Sequence, residues 1–231
     1  MLVIPIMIVL FTVVIILLPS YLRFIDTTYE KASGNSFFET FSNKGNWGEF
    51  KIYAKLEHIK IKKHVMTNLY IPTEKGHTTE VDLVMINQRG IFVFESKNYS
   101  GWIFGSENRK QWMQTFKNGT KNQFFNPIWQ NKGHVKALMT ASGLEDANYY
   151  YSYIVFGDDC TLKDITVLSD EVKVIKQSQL TPYLIRDLKA MPSILTYQQV
   201  DTIYANLKKY QLADDATKAL HIEKLKAIHN K

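Results

Sequence analysis

Only one cysteine, Cys160, occurs in the 231 residues. That excludes an internal disulfide and a Cys-rich zinc module, and it suits a reducing compartment. Charge is missing from the start of the chain: all 28 Lys and Arg and all 22 Asp and Glu lie from Arg23 onward. No internal repeat, low-complexity tract or Gly-rich phosphate loop is present. What remains is an ordinary globular composition. Hydrophobic residues at 45% and charged residues at 22% exclude wholesale disorder, and the length fits one domain with appendages. The formal charge of +6 suits a polyanionic partner without identifying one, because Lys-rich surfaces are common.

The uncharged start has a physical consequence. Residues 2–18, LVIPIMIVLFTVVIILL, hold no polar side chain except Thr12. As a helix they span roughly 25 Å, and extension through Tyr21 and Leu22 reaches about 30 Å, the thickness of a bilayer core. A cleaved signal peptide would show a basic start, a shorter apolar stretch and a small-residue cleavage site; none of these is there. The expectation is an uncleaved, single-pass anchor over 1–22, inserted in the lipid bilayer of the cell membrane. Arg23, Lys31 and Lys44 follow the span and no basic residue precedes it, so the C-terminal body faces the cytoplasm.

The rest divides into a juxtamembrane linker over 23–41, a domain over 42–180 and a helical tail over 181–231. Phe50, Tyr53, Leu56 and Ile59 recur at helical spacing within 46–60, with lysines opposite. Val81 to Ile86 and Ile91 to Glu95 read as strands joined at Asn87-Gln88-Arg89-Gly90, a β-hairpin. A second helix is predicted from Pro127 to Met139. Short strands follow at Tyr150 to Phe156, Ile165 to Leu168 and Val172 to Ile175. Thr181-Pro182 starts one C-terminal helix, and Thr196 with Gln199 forms a capping box before another. The fold class is α/β, a central mixed sheet flanked by helices.

The chemistry-bearing feature is the hairpin. A symmetric two-residue loop sets Asp82 opposite Glu95, with their Cβ atoms about 5 Å apart on one face. Glu95 and Lys97 share a face by alternation. Two facing carboxylates repel unless a proton or cation intervenes, so the pair reads either as a cation site or as a salt-bridged, solvated edge. The triplet acid-x-Lys alone decides nothing, since composition predicts about two by chance. Glu171-x-Lys173 and Asp187-x-Lys189 are others, and Asp158 lies thirteen residues before Glu171, as Asp82 lies before Glu95. Context separates them: Glu95 ends the apolar run IFVF, whereas Glu171 opens its strand after Ser169-Asp170 and Asp187 lies on a helix face.

Three blocks in order carry a resemblance: GNWGE (45–49), TEVDLVMINQRGIFVFESKNYSGWIFG (79–105) and NPIWQNKGH (126–134). They are similar to the NERD, or nuclease-related, domain of the PD-(D/E)xK restriction-endonuclease-like superfamily, over roughly 45–140. The resemblance implies a restriction-endonuclease-like sheet and a Mg²⁺-dependent phosphodiesterase site, with Mn²⁺ as a substitute. Glu49, Asp82, Glu95, Lys97 and Gln130 would be its catalytic residues. Asp82, Glu95 and the backbone carbonyl of Ser96 would hold the metal, with Glu49 direct or through water. The substrate implied is nucleic acid, DNA ahead of RNA. Gln130-x-x-x-His134 resembles the Gln-x-x-x-Tyr element of RecB-type relatives, with His in place of Tyr, and assigns His134 to substrate. Val81 stands where the namesake proline would precede Asp82. The alternative is a non-catalytic module of the same family that binds nucleic acid or a protein at the membrane.

Other candidates have plainer readings beside the functional one. Lys51 and Lys55 belong to a basic stripe with Lys60, Lys62 and Lys63 that tracks phosphates or is simply a solvated face. The aromatics Trp102, Trp112, Phe124, Phe125 and Trp129 stack on bases or fill a core. His58, His64 and His77 lack zinc-ligand spacing.

Overall fold

Helices cover both faces of the larger of two mixed sheets. The computed structural model describes residues 3–73, 78–214, 216–221 and 223, and within the first helix it leaves the side chains of residues 3–6, 8–10, 12, 13 and 16 outside that set. In chain order the elements are α1 (Val3–Ile25), α2 (Tyr29–Ser33), α3 (Phe37–Ser42), α4 (Lys44–Glu57), β1 (His64–Pro72), β2 (Thr78–Asn87) and β3 (Gly90–Lys97). Then come β4 (Gly101–Ser106), β5 (Gln111–Thr115), β6 (Lys121–Phe125), α5 (Pro127–Ser142), β7 (Tyr150–Phe156), β8 (Cys160–Thr166), β9 (Val172–Lys176), α6 (Leu180–Ala190) and α7 (Tyr197–Lys208). The five-stranded sheet runs β1-β2-β3-β7-β9, and a four-stranded sheet runs β6-β5-β4-β8. β1, β2 and β3 pair antiparallel, while β7 joins β3, and β9 joins β7, in parallel. The parallel step requires a crossover, and the small sheet's first three strands together with α5 supply it.

Alternation along β3 builds the two layers. Phe92 and Phe94 face a cluster with Phe50, Leu56, Leu184 and Leu188, so α4 and α6 cover that side. Ile91 and Val93 face Leu138, Val200 and Leu207, so α5 and α7 cover the other. The C-terminal helices expected as a tail over 181–231 thus pack into both layers of the domain. Asp187, expected on an ordinary helix face, is buried and accepts the Tyr153 hydroxyl at 2.5 Å.

Residues 23–41, expected as a linker, carry α2 and most of α3. Phe24, Tyr29 and Phe37 are buried in one cluster with Phe50, with ring centroids 5.4 to 6.0 Å apart in several pairs. Burying an aromatic of this size stabilises the fold by about 1.5–3 kcal/mol, which helps to hold the segment on α4. As for the expected anchor, counted over the described residues no helix is long and apolar enough to cross a membrane. Much of the uncharged run belongs to residues whose side chains lie outside the described set.

Local signals place the elements that matter for the site. β2 and β3 are joined by Gln88-Arg89, and Gly90 follows with φ of +130°; a Cβ there would stand 2.7 Å from the Tyr149 carbonyl oxygen. α5 starts where the Asn126 side chain accepts from the Ile128 amide and Pro127 occupies the first turn. Thr196 and Gln199 form the expected capping box of α7. The strand expected at 165–168 lies instead at Cys160–Thr166, its register set by parallel pairing with β4.

Candidate active site

The hairpin register is the one the loop predicts. Leu83 pairs with Phe94, Val84 with Val93 and Asn87 with Gly90, and the ladder ends there, one step short of Asp82 and Glu95. The Ser96 amide donates to Asp82 Oδ2 at 2.7 Å, tying the acid of one strand to the backbone of the other. Glu95 is 1% exposed. Its two oxygens are each met by a donor: Lys97 Nζ at 2.6 Å from Oε1 and His134 Nε2 at 3.0 Å from Oε2.

α5 supplies the lid of this arrangement. Gln130 and His134 are four residues apart and share a helix face. Gln130 Oε1 accepts from Lys97 Nζ at 3.0 Å, and His134 Nδ1 lies 2.9 Å from Thr79 Oγ1. The Glu95 carboxylate can only accept, so Nε2 donates to it, and in the neutral ring Nδ1 then accepts the Thr79 proton; Glu95 selects the tautomer and Thr79 adapts to it. Asn131, next to Gln130, donates to the Val93 carbonyl and to Ser152 Oγ and anchors α5 on the sheet.

Glu49 arrives from α4 on the opposite layer. Gly48 before it allows the close approach: a Cβ there would lie 2.8 Å from Asn98 Cβ and 3.1 Å from Ser96 Oγ, at the end of β3. Glu80, two residues before Asp82 in β2, completes a group of four carboxylates. Its Oε1 accepts from the Tyr70 hydroxyl at 2.6 Å, and its Oε2 lies 4.0 Å from His221 Nε2. Sequence reasoning missed Glu80, although two acids at strand spacing, Glu80-x-Asp82, are a readable signal.

Electrostatics follow from this crowding. Burial pushes the Glu49 carboxyl up to about 8, and Glu80 and Glu95 add to it against the pull of Lys97. Burial, then Glu95 and Glu49, hold Asp82 well above the usual carboxylate range. For Glu95, burial would also raise the carboxyl, but Lys97 and His134 outweigh it and hold it below the ordinary value. The Lys97 ammonium is disfavoured by burial, yet Glu95 and Asp82 keep it above its usual range. The group is over-supplied with negative charge, and the costs fall on Asp82 and Glu49.

That donor chemistry fits a hard divalent cation, for which carboxylates and a backbone carbonyl are natural ligands. Among the described residues no group of three or more His, Cys, Asp or Glu side chains is arranged to hold a metal ion as it stands. Both Glu95 oxygens accept from Lys97 and His134, and Asp82 Oδ2 accepts from the Ser96 amide. Glu49, Asp82, Glu95, Lys97, Gln130 and His134 are therefore brought together. Lys51 and Lys55 are not; at 100° per residue they lie about 200° and 240° around α4 from Glu49. The groups acting on Lys51 are Asp159, Asp158, Arg23 and Lys44, none of them in the acidic cluster. Of the aromatics, Trp112 is core, whereas Trp102, Phe125 and Trp129 are exposed.

Comparison with known proteins agrees with this geometry. The family model described as a nuclease-related domain, NERD, matches residues 44–157, a span containing all six residues that converge. An uncharacterized protein of Bacillus anthracis is 32% identical over 191 residues, which cover 81% of this chain and 85% of that one. No solved structure matches the chain.

Proposed function

The chain belongs to the nuclease-related domain family, of the restriction-endonuclease-like kind, and from that premise we propose that it is a membrane-anchored, Mg²⁺-dependent nuclease hydrolysing phosphodiester bonds of DNA. The observation that carries the reading is the Lys97 ammonium, buried between Glu95 and Gln130 with Asp82 on the facing strand. A structural ion pair does not need further carboxylates, Glu49 and Glu80, pressed against it.

Asp82, Glu95 and the Ser96 carbonyl would hold Mg²⁺, with Glu49 alongside. When bound, the ion supplies a Lewis acid for the phosphate and a water of lowered pKa. Lys97 then has two tasks open to a fixed ammonium: to orient the attacking water and to stabilise the charge building on the phosphoryl oxygens. Gln130 aims Lys97, and His134 aims Glu95 while Thr79 keeps its ring in register. Burial with Glu80 and Glu95 raises the Glu49 carboxyl, and a divalent cation beside it would offset that rise and favour the carboxylate. Hydrolysis in line leaves a 5′-phosphate.

Anchoring through residues 1–22, with the body on the cytoplasmic side, belongs to the same proposal. It is supported by the uncharged run, by its helical backbone from Val3 and by the exposure of Phe11, Ile15, Leu18 and Leu22. Deleting residues 1–22 should release the chain from membranes; continued sedimentation with them would refute the topology.

The second reading, a non-catalytic module that binds nucleic acid or a protein at the membrane, is favoured by one observation: the donors of Glu95 are already satisfied within the protein. Cleavage assays on the full chain with Mg²⁺ or Mn²⁺ separate the two. Activity abolished by Asp82→Ala and by Glu95→Ala but kept in Glu171→Ala supports the nuclease. Nucleic-acid binding without cleavage in the unaltered chain supports the module, and cleavage indifferent to all three substitutions sinks the assigned site.

A further inference from the structure

Two features read from the sequence take no part in the proposed reaction, the basic stripe of α4 and the residues just after the uncharged run, and the fold puts them side by side. A cavity of about 470 Å³ opens at the base of α1, between α4 and α6. Arg23, Lys55, His58 and Lys60 line it, and Ile59 and Ile185 give it apolar wall. Thr181, in the first turn of α6, lines it too, so the positive end of that helix adds to the same sign. No acidic side chain is among the described lining residues. Asp26, 3.3 Å from His58 Nε2, is the acid that approaches it, and both of those side chains are mostly exposed.

The charge around Lys51 is mixed, with Asp159 and Asp158 acting on it more strongly than Arg23 and Lys44. Burial lowers the Lys51 ammonium, and Arg23 and Lys44 push it in the same direction against the pull of Asp159 and Asp158. Arg23 and Lys44 are therefore each close enough to Lys51 to act on it. On the other side of Arg23 the exposed side chains change character: Leu18, Tyr21 and Leu22 of α1 are apolar or aromatic and open to the surroundings. Arg23 follows this exposed apolar stretch directly, and Ile25, Phe38 and Phe41 carry exposed apolar surface on past it. An aromatic at the interface with basic residues beyond it is the order of groups at the level of lipid headgroups.

We propose that this cavity seats the phosphate of an anionic phospholipid headgroup, so that lipid charge as well as the α1 helix holds the body against the membrane. Arg23, Lys55 and Lys60 supply charge-assisted hydrogen bonds to the phosphate oxygens, and Ile59 and Ile185 lie against the less polar glycerol region. Inorganic phosphate lacks that apolar part. The proposal rests on the anchoring reading above and adds to it a preference among lipids. A basic residue near an anionic surface strengthens association about fivefold, so two of them account for roughly 25-fold.

The test uses the full chain with vesicles of phosphatidylcholine alone or with about one third phosphatidylserine. Backbone hydrogen exchange is followed in residues 55–60 and 181–185. Anionic vesicles should slow exchange in both segments, 0.5 M salt should reverse the slowing, and Arg23→Gln/Lys60→Gln should remove most of it. Equal exchange on both vesicles, with the chain bound to each, overturns the headgroup site and leaves the anchor standing. Binding to neither vesicle overturns both. Binding to anionic vesicles alone supports the headgroup site and removes the anchor. Inorganic phosphate at 10 mM is the last arm: if it slows exchange equally on neutral vesicles, the site takes free phosphate and the lipid assignment is wrong.

Discussion

Two acid-x-Lys triplets stand on neighbouring parts of one sheet and do different things. Glu95 and Lys97 end β3, which has β2 on one side and β7 on the other. Glu171 and Lys173 open β9, the edge strand, and each has an Asp thirteen residues upstream of its Glu. In the first, the carboxylate is buried and its ammonium lies 2.6 Å away. In the second, Glu171 is exposed and Lys173 turns instead to the Asp170 carbonyl at 3.1 Å. Asp158, the upstream acid, is spent on the Ser178 amide at 2.9 Å. Position in the sheet, not the triplet, decides whether charge is concentrated or solvated: an edge has water to share the load, and a central strand does not.

The largest expected contrast is in turnover. Lys97→Ala should lower cleavage by about 10²–10³-fold, the range for losing one fixed donor to developing charge, while Lys173→Ala leaves the rate unchanged; equal losses would erase the distinction drawn between the two strands. Stability should separate them next. Removing Lys97 strips the buried Glu95 of one partner and should cost about 3 kcal/mol in denaturant unfolding, softened because His134 still donates to the other oxygen. Glu171→Ala and Lys173→Ala should stay within about 0.5 kcal/mol, as exposed groups do.

A pH experiment sharpens the same comparison. Glu49 has a folded pKa near 8 against an ordinary 4.5, so the folded chain retains a proton that the unfolded chain has released. The stability this group contributes is complete below about pH 4.5 and is lost as pH rises toward 8. Glu49→Gln should flatten that fall in urea midpoints measured from pH 5 to 8, and Glu171→Gln should leave it intact. An unchanged slope in Glu49→Gln means that Asp82 or another group carries the linkage.

Much of this was legible in the chain. The two-residue loop predicts the hairpin register as far as Leu83–Phe94, Pro127 predicts the start of α5, and helix spacing puts Gln130 and His134 on one face. Other parts were not. β4, β5 and β6 are short, and β4 and β6 bury few of their residues, so hydrophobic alternation hardly marks them. Phe24, Tyr29 and Phe37 look like linker residues until α4 is there to receive them. Asp187 reads as a surface acid because nothing nearby in sequence announces the Tyr153 hydroxyl. Glu80 escaped notice since its role depends on α4 arriving from the opposite layer.

The order of residues along the chain determined the local structure: strand alternation, the hairpin register, the capped starts of α5 and α7, and the uncharged run before Arg23. These depend on spacing, turn chemistry and hydration over a few residues. Which carboxylates share one buried space, and which lysines leave it for the base of α1, was decided only when helices from both layers closed on the sheet. Coulomb energies depend on distance and on exclusion of water, and neither exists until the layers have packed.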